Sequence, residues 1–419
     1  MLDLDKVELF VCDDSGVTHD LSSFIVSYRI KWGVFDSIGS FDAEISPGSP
    51  WVPAPLGKDT FLWKVCGKNM LCGYVDSWSV AWTKDSRSLR ISGRDILSVL
   101  SDNGFLYSTS YPREADIKTD AEGKTTYAKW RMESIIEDVF SNQMHRGGTA
   151  IDMFSKNLRS FTKPGYTFTD SARQTMAKLG GFCQLIVSPG QTFYEFLAKL
   201  VNSAGMYMFV EPGTRTVVFH SFYPSKTKGK SNGTNFGYDG NPLQADIPYT
   251  IQHTKNGVGN VKNLDVACDR SKFFTYIKVV GSSNSEGSLY FQGLKPGSYL
   301  KKELTFNASS VPRNKTVVRT EDDEMIWNRI PEIMTYNQAI LQAYYTFQWR
   351  YTLPNHSPPH MDEPYFINRT ADLWDEYVLG NADEEPCFIM SVEFSGSKTE
   401  GQSTSMQLLP KRYIGMDVK

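Results

Sequence analysis

The first quarter of the chain shows a two-residue alternation of apolar and polar side chains, which is typical of strands with one buried face. In residues 41–45, Phe, Ala and Ile alternate with Asp and Glu. The alternation returns in residues 78–82, where two Trp and one Val share a face. Residues 1–94 are therefore predicted to be strand-rich, and the segment 40–102 is interpreted as a small barrel whose core takes up these apolar faces.

A hairpin is predicted from strands at residues 61–66 and 70–75, because the Gly and Asn of the intervening turn 67–69 supply the positive φ that tight turns need. Cys66 and Cys72 flank this turn, so a cross-strand disulfide is one interpretation. Buried free thiols are the favoured one, because Cys is among the most buried residue types and a chain of this length needs no disulfide framework.

Apolar side chains spaced three and four residues apart predict helices in the middle of the chain. Residues 127–142 carry such a stripe. A second helix is predicted after Thr192, where a Thr-x-x-Glu capping box begins, and a hairpin is predicted at residues 206–220. The longest helical stretch is residues 321–345, with a break expected at Pro331.

The strand-rich region ends at a Gly93-Arg94-Asp95 corner, which is followed by a short apolar helix pattern. Gly93 is expected to allow a sharp turn from strand to helix, and Asp95 is expected to cap that helix. Arg94 is expected to pair with a carboxylate, and a place at a subunit interface is the alternative interpretation. We therefore treat the three residues as a structural motif with no catalytic role.

The composition narrows the classes of function. The 44 Lys and Arg and 47 Asp and Glu give a formal net charge of -3, and hydrophobic residues make up 40% of the chain. From the length of the chain, two to four compact units are expected. The chain lacks the clustered basic residues that tight or sequence-specific nucleic-acid binding needs. No run of about 18 apolar residues occurs, so no membrane span is expected. No signal-peptide pattern occurs either, so the protein is expected to be made in the cytoplasm.

Candidate metal-binding residues are few. His356 and His360 stand four residues apart, and Asp362 and Glu363 follow them, which is the nearest approach to a zinc-ligand set. Prolines on both sides forbid the helix that would bring the two imidazoles together, so a surface loop is the favoured interpretation. Neither a metal nor another cofactor is expected.

Acid–base catalysis needs two carboxylates that face one bond from separated elements. Acidic pairs such as Asp375 and Glu376 are adjacent in the sequence and point in different directions. Neither an HExxH nor a GxSxG motif occurs. The chain is therefore expected not to be an enzyme, although carboxylates that are distant in sequence keep a hydrolase open as an alternative.

Three segments together carry a resemblance to a known family. They are Leu71-Cys-Gly-Tyr-Val-Asp76 with Ser92-Gly-Arg-Asp95-Ile-Leu, Gly190-Gln-Thr-Phe-Tyr-Glu-Phe-Leu197, and Cys387-Phe-Ile-Met-Ser-Val-Glu-Phe-Ser-Gly-Ser397 with Gly401-Gln-Ser-Thr. The set resembles the baseplate hub proteins of contractile-tailed phages, the Mu-like and late-control-D group of tail proteins. The chain departs from the family pattern at residues 356–364 and in the polar segments 103–126 and 222–248.

The resemblance implies an α+β, mainly β fold with two tube-type β-barrel domains, each interrupted by an α-containing insertion. It places the first barrel in residues 1–105 and an α/β insertion in residues 106–250. The second barrel is expected to begin in residues 251–310, to be interrupted by a helical insertion in residues 311–370, and to end with the strands of residues 371–419.

The resemblance also implies a structural role at the baseplate of the virion tail, after assembly in the cytoplasm of a bacterial host. It predicts a homotrimer whose six barrels form a pseudo-six-fold ring with a channel for DNA ejection. The implied partners are the tail tube protein, the central spike protein and the baseplate wedge proteins, with the tape measure protein as a further candidate. The alternatives are a tail-associated cell-wall hydrolase and a receptor- or carbohydrate-binding tail module, the latter suggested by nine Trp and 21 Tyr.

Overall fold

A computed structural model describes the N-terminal half of the chain almost continuously and the C-terminal half as separate strands. The N-terminal part comprises residues 6–33, 38–55, 59–65, 67–82, 87–111, 113, 116–123, 125–127, 130–145, 164–179, 181–182, 185–203 and 206–221. The C-terminal part comprises residues 250–253, 263–268, 276–281, 303–308, 347–353, 365–369, 384–398 and 401–410. The helix predicted at residues 321–345 lies outside the described residues.

Strands dominate the described residues, so the mainly β fold predicted from the sequence is confirmed. The strands before residue 112 are β1 (Val7–Cys12), β2 (Thr18–Asp20), β3 (Ile25–Gly33), β4 (Ser40–Ile45), β5 (Thr60–Val65), β6 (Lys68–Trp82), β7 (Arg87–Asp95) and β8 (Thr109–Tyr111). The strands in the middle of the chain are β9 (Ile117–Thr119), β10 (Thr125–Tyr127), β11 (Trp130–Arg131), β12 (Gly165–Phe168), β13 (Gly181–Phe182), β14 (Leu185–Val187), β15 (Met206–Val210) and β16 (Thr216–Ser221).

The remaining elements are the C-terminal strands and the helices. The strands are β17 (Thr250–His253), β18 (Asn263–Cys268), β19 (Tyr276–Gly281), β20 (Glu303–Ala308), β21 (Phe347–Leu353), β22 (Tyr365–Arg369), β23 (Glu384–Ser397) and β24 (Gly401–Pro410). The helices are α1 (Leu97–Asp102), α2 (Met132–Ser141), α3 (Asp170–Leu179) and α4 (Phe193–Ser203), with single 3₁₀ turns at Ser22–Phe24 and Gln143–His145. None of the helices in the described part of the chain has the length and apolar character that crossing a membrane requires.

One 13-stranded sheet contains strands from both ends of the chain. Its order is β18-β21-β24-β23-β3-β4-β7-β6-β5-β1-β2, with β22 pairing with β23 and β17 pairing with β22. The two ends meet where β23 pairs with β3 in antiparallel register, with Phe394 opposite Ile30 and Val392 opposite Trp32. The N-terminal and C-terminal strands, which the sequence assigned to two barrels, therefore share a continuous hydrogen-bonded sheet.

The alternation in the sequence gives this sheet one apolar and one polar face. On β3, β4 and β23 the apolar face is buried, and it consists of Tyr28, Ile30, Trp32, Phe41, Ala43, Ile45, Val392 and Phe394. An aromatic cluster lies at its centre, where the ring centroid of Phe41 is 4.3 Å from that of Phe61 and 5.5 Å from that of Trp63. Full burial of one such ring stabilises the fold by about 2 kcal/mol.

A second core holds the helices together. It is built from the buried faces of α1, α2 and α4 and from β15 and β16, with Leu97, Ile135, Val139, Phe193, Leu197 and Phe219 all fully buried. α2 begins at Met132 and not at residue 127 as predicted, because residues 125–127 and 130–131 are strands that pair with β9 and β13. The spacing of the apolar residues was correct, and only the start of the helix was wrong.

The capping box predicted at Thr192 is confirmed. The Thr192 Oγ1 accepts a hydrogen bond from the Glu195 backbone N–H at 3.1 Å, and the Glu195 carboxylate accepts one from the Thr192 N–H at 3.4 Å. These reciprocal bonds satisfy two backbone N–H groups that the first turn of α4 leaves without helical partners.

β15 joins the two cores, because all five of its residues are buried. Tyr207 and Phe209 face the core of the large sheet, and Met208 faces the core of the helices. A hydrogen bond also crosses this boundary, since the Trp32 Nε1 donates to the Val210 carbonyl oxygen at 3.0 Å. The helical part is therefore packed on the sheet through a strand with no exposed face.

The hairpin between β5 and β6 meets the turn between β15 and β16. Cys72 is a buried free thiol that lies opposite Leu62 in the ladder and donates to the Thr214 carbonyl oxygen at 3.0 Å. The favoured interpretation of a buried free thiol is therefore confirmed for Cys72, and burial raises the pKa of this thiol to about 11. Cys66 itself lies outside the described residues.

Gly213 provides a test of this contact between sheet and hairpin. It has a φ of +65°, and a Cβ at this position would collide with the backbone of Asn69. We expect Gly213→Ala to lower the free energy of unfolding by about 3 kcal/mol or more, through the left-handed backbone and the collision together. Urea unfolding measured by circular dichroism checks this value.

Gly16→Ala is the matched control. Gly16 has a φ of +83°, but no atom lies within 4 Å of the position of an added Cβ. We expect Gly16→Ala to lower the free energy of unfolding by about 1–2 kcal/mol, because only the left-handed backbone conformation penalises it. Equal losses in the two variants would contradict the contact between Gly213 and Asn69.

Candidate functional site

The Gly93-Arg94-Asp95 corner lies at the end of β7, where the large sheet leads into α1. Gly93 does not form the turn that the sequence predicted. It is a strand residue opposite Phe41 on one side and Val75 on the other. A Cβ here would collide with the Tyr74 carbonyl oxygen and would lie 2.6 Å from the Phe41 ring. Glycine is therefore required for close packing against neighbours that the local sequence does not reveal.

Arg94 pairs with a carboxylate as predicted, and it pairs with two. Its Nε and Nη2 donate to Asp76 on β6 at 2.6 and 3.0 Å, and its Nη1 and Nη2 donate to Asp102 at the end of α1 at 3.1 and 2.9 Å. The hydrogen bonds to Asp76 and then to Asp102 raise the pKa of Arg94 above its ordinary value. The guanidinium thus ties two strands to the helix.

Asp95 caps α1 as predicted, and it is 1% exposed. Its Oδ1 accepts from the Leu97 N–H at 2.9 Å, and its Oδ2 accepts from the Gly39 N–H at 2.7 Å. Burial raises the pKa of this carboxyl group to about 7, although both backbone N–H groups and Arg94 act in the opposite direction. Asp95 therefore joins three segments at a point that water does not reach.

The polar face of the large sheet carries Ser and charged residues of both signs. Arg29 on β3 donates to Glu393 on β23 at 2.8 Å, and the hydroxyl groups of Ser77 and Ser92 lie 2.7 Å apart. An open groove of about 510 Å³ runs over this face. Its polar lining residues are Ser27, Arg29, Asp42, Glu44, Ser77, Ser79, Arg90 and Ser92. A face that carries charges of both signs among small hydroxyl groups has no strong preference for a charged ligand.

The apolar residues at the end of β6 are exposed, although the alternation predicted them in a core. Trp78, Val80 and Trp82 are 39%, 58% and 69% exposed. The reason is the length of the neighbouring strand: β5 pairs with β6 only as far as Tyr74, so the hairpin of β6 and β7 extends beyond the sheet's core. Trp78 lies opposite Ile91 in this hairpin, which places the exposed row on the same face as the buried residues.

A buried carboxylate in the helical part was not foreseen. Asp138 on α2 is 2% exposed and accepts hydrogen bonds from the Tyr111 hydroxyl, the Asn142 and Gln143 amides and the Arg113 guanidinium. The available signal was an acidic residue next to the apolar stripe of a predicted helix. Asn142 and Gln143 directly follow α2, but Tyr111 and Arg113 come from a segment about 25 positions earlier, which the local sequence pattern does not bring to Asp138.

No cluster of metal-ligating side chains occurs among the residues that the structure describes. His356 and His360 lie outside those residues. The described residues thus provide three features: a corner that connects sheet and helices, a polar face, and an exposed apolar row.

No family model and no curated protein sequence matches the chain. Several solved structures share its fold. The tail protein from Neisseria meningitidis MC58 is 15% identical, with 96% of each chain covered and a TM-score of 0.58. The 43 kDa tail protein of prophage MuSo2 from Shewanella oneidensis is 13% identical, with 98% of this chain and 100% of that chain covered and a TM-score of 0.60.

A chain of the Francisella PdpA–VgrG complex is 10% identical, with 100% of this chain and 60% of that chain covered and a TM-score of 0.52. At these identities the likeness establishes a common fold. The protein thus has the fold of phage and prophage tail proteins over nearly its whole length, as the sequence resemblance implied.

Asp95 makes the stability of the corner depend on pH. The folded state retains the Asp95 proton up to about pH 7, whereas the ordinary pKa of an Asp is 3.8. The stabilisation from this proton is complete below about pH 4 and is lost as the pH rises through 7. We therefore expect the free energy of unfolding of wild type to fall by about 2–4 kcal/mol relative to that of Asp95→Asn between pH 4 and pH 8.

Urea unfolding of both proteins across this pH range measures the difference, in which the contributions of the other titratable groups cancel. Asp42→Asn is the control, because Asp42 is exposed on the polar face. Its profile should run parallel to that of wild type. A parallel profile for Asp95→Asn as well would contradict the assignment.

Proposed function

We propose that the protein is a structural baseplate hub protein that forms a homotrimeric, pseudo-six-fold ring between a phage tail tube and a central spike. The proposal combines the shared fold of phage tail proteins with the sequence motifs described above. It places the protein in the baseplate of a virion tail, assembled in a bacterial cytoplasm. It assigns the protein no enzymatic activity and no cofactor.

The observation that carries the proposal is the ladder between β3 and β23. It places the N-terminal strands and the C-terminal strands side by side in one sheet, which is the arrangement expected if each chain supplies two neighbouring tube-type units of a ring. Three copies then supply six such units. A ring of this kind matches a six-fold tube on one side and a three-fold spike on the other.

The polar face supports a role as the wall of a channel. Its charged lining residues are of both signs, Arg29 is paired with Glu393, and the rest of the polar lining is Ser. A wall that gripped phosphates would need clustered basic residues, and passing DNA would then be retained. We propose that this face lines the DNA channel, with the tail tube, spike, wedge and tape measure proteins as partners outside it.

Mass measurement and electron microscopy of the purified full-length protein test the ring. We expect a species of three chains that appears in projection as a ring of six densities around a central hole. A strictly monomeric protein at high micromolar concentration, alone and with the spike protein of the same particle, would overturn the proposal.

A carbohydrate-binding tail module is the second candidate, because Trp78 and Trp82 are exposed on one strand face. Aromatic rings displayed in this way are suited to stacking on sugars, although the Arg87 guanidinium lies 3.9 Å from the ring centre of Trp82 and covers part of it. Co-sedimentation with peptidoglycan and bacterial cell-surface glycans tests this candidate. Binding that Trp78→Ser abolishes would favour it, and release of soluble fragments would indicate a hydrolase.

A further inference from the structure

We infer that the exposed apolar row of one copy packs against a second apolar patch of the next copy, in a head-to-tail contact that closes the ring. The row is called the hairpin strip and consists of Trp78, Val80 and Trp82. The patch is called the ladder patch and consists of Leu106, Tyr107 and Ile186. This inference rests on the proposed ring and names the surfaces that build it.

The hairpin strip continues a buried face into solvent. A β-bulge between Val75 and Ser77 shifts the alternation of β6 by one residue, and the pairing of Trp78 with Ile91 and of Val80 with Leu89 returns the strip to the apolar side of the sheet. No described strand pairs with β6 on its other edge beyond the end of β5. Exposure rises along the strip from 39% at Trp78 to 69% at Trp82. Three large apolar side chains in one row differ from the scattered single residues that protein surfaces normally carry.

The ladder patch lies on a different part of the molecule. Leu106, Tyr107 and Ile186 are 49%, 64% and 65% exposed. They belong to two segments that run antiparallel, since Ile186 pairs opposite Ser110 and the Gly190 N–H donates to the Phe105 carbonyl oxygen at 2.8 Å. Ile186 is in the ladder of β8 and β14, and Leu106 and Tyr107 lie in the bend that leads into β8, so the three side chains belong to two adjoining segments in the helical part of the chain.

The area of the two surfaces suits a contact between copies. Each exposes on the order of 300 Å² of apolar side chain, given roughly 150–250 Å² for one aromatic residue. A contact that covers both removes about 600 Å² of apolar surface from water, a large share of the apolar part of a standard interface of roughly 1,600 Å². Either surface alone would be too small.

Closed rings also need two different surfaces on each copy, because a head-to-tail contact joins unlike patches. The described residues offer two such patches. Among the described residues, the two other exposed large apolar side chains are Val17 and Val52, which lie outside both segments. A second copy of the chain is therefore the occupant that accounts for both surfaces at once.

The test begins with two double variants of the full-length protein. Trp78→Ser with Trp82→Ser removes the hairpin strip, and Tyr107→Ser with Ile186→Ser removes the ladder patch. Sedimentation velocity should show each variant associating at least about tenfold more weakly than wild type.

Val17→Ser with Val52→Ser is the matched control, because it also removes two exposed apolar side chains, and it should associate like wild type. Circular dichroism and melting temperatures verify that every variant is folded.

Mixing the two defective variants distinguishes head-to-tail contact from other arrangements. Each variant retains one intact surface, so we expect the mixture to form a 1:1 dimer that does not close into a ring. If wild type assembles but the strip variant assembles equally well, or if the mixture stays monomeric, the inference is overturned and the proposed ring stands. A wild type that never assembles overturns the ring itself, and the inference with it.

Discussion

The pairing of β23 with β3 is the constraint on which the rest of the fold depends. It joins residues that are more than 350 positions apart in the sequence, with Ser397 opposite Ser27 at one end and Ser391 opposite Gly33 at the other. Closing such a long loop costs only slightly more than closing a short one, since the entropic cost grows with the logarithm of loop length. In return β3 gains a second neighbour, and Phe394 completes the apolar face beside Ile30.

That ladder fixes the sheet, and the corner at Asp95 fixes how the helical part leaves it. The carboxylate binds backbone N–H groups from Gly39 and Leu97, so it holds the entry to β4 and the start of α1 at once. β15 then packs between the two cores with both faces buried. The core of the sheet and the core of the helices therefore share β15, and each would expose apolar side chains to water if the helical part separated from the sheet.

Sequence reasoning found the features that depend on near neighbours. The capping box at Thr192, the cap at Asp95 and the alternation of β4 all follow from residues a few positions apart, and all are present. The features that were missed depend on distant partners: the need for glycine at 93 comes from Tyr74 and Phe41, and the burial of Asp138 comes from donors on other segments. No local pattern contains that information.

The hairpin strip marks a different limit, because the pattern there was interpreted correctly and the environment was not. Alternation states only that one face of a strand avoids water, and it does not state whose atoms cover it. β6 contributes to the core as far as Val75, and after a β-bulge, past the end of β5, the same side of the sheet carries the solvent-exposed Trp78 and Trp82. Exposed strand faces of this kind promote unwanted association unless a specific contact covers them. An apolar face longer than the core it serves is therefore the property that connects the folding of this chain to its assembly.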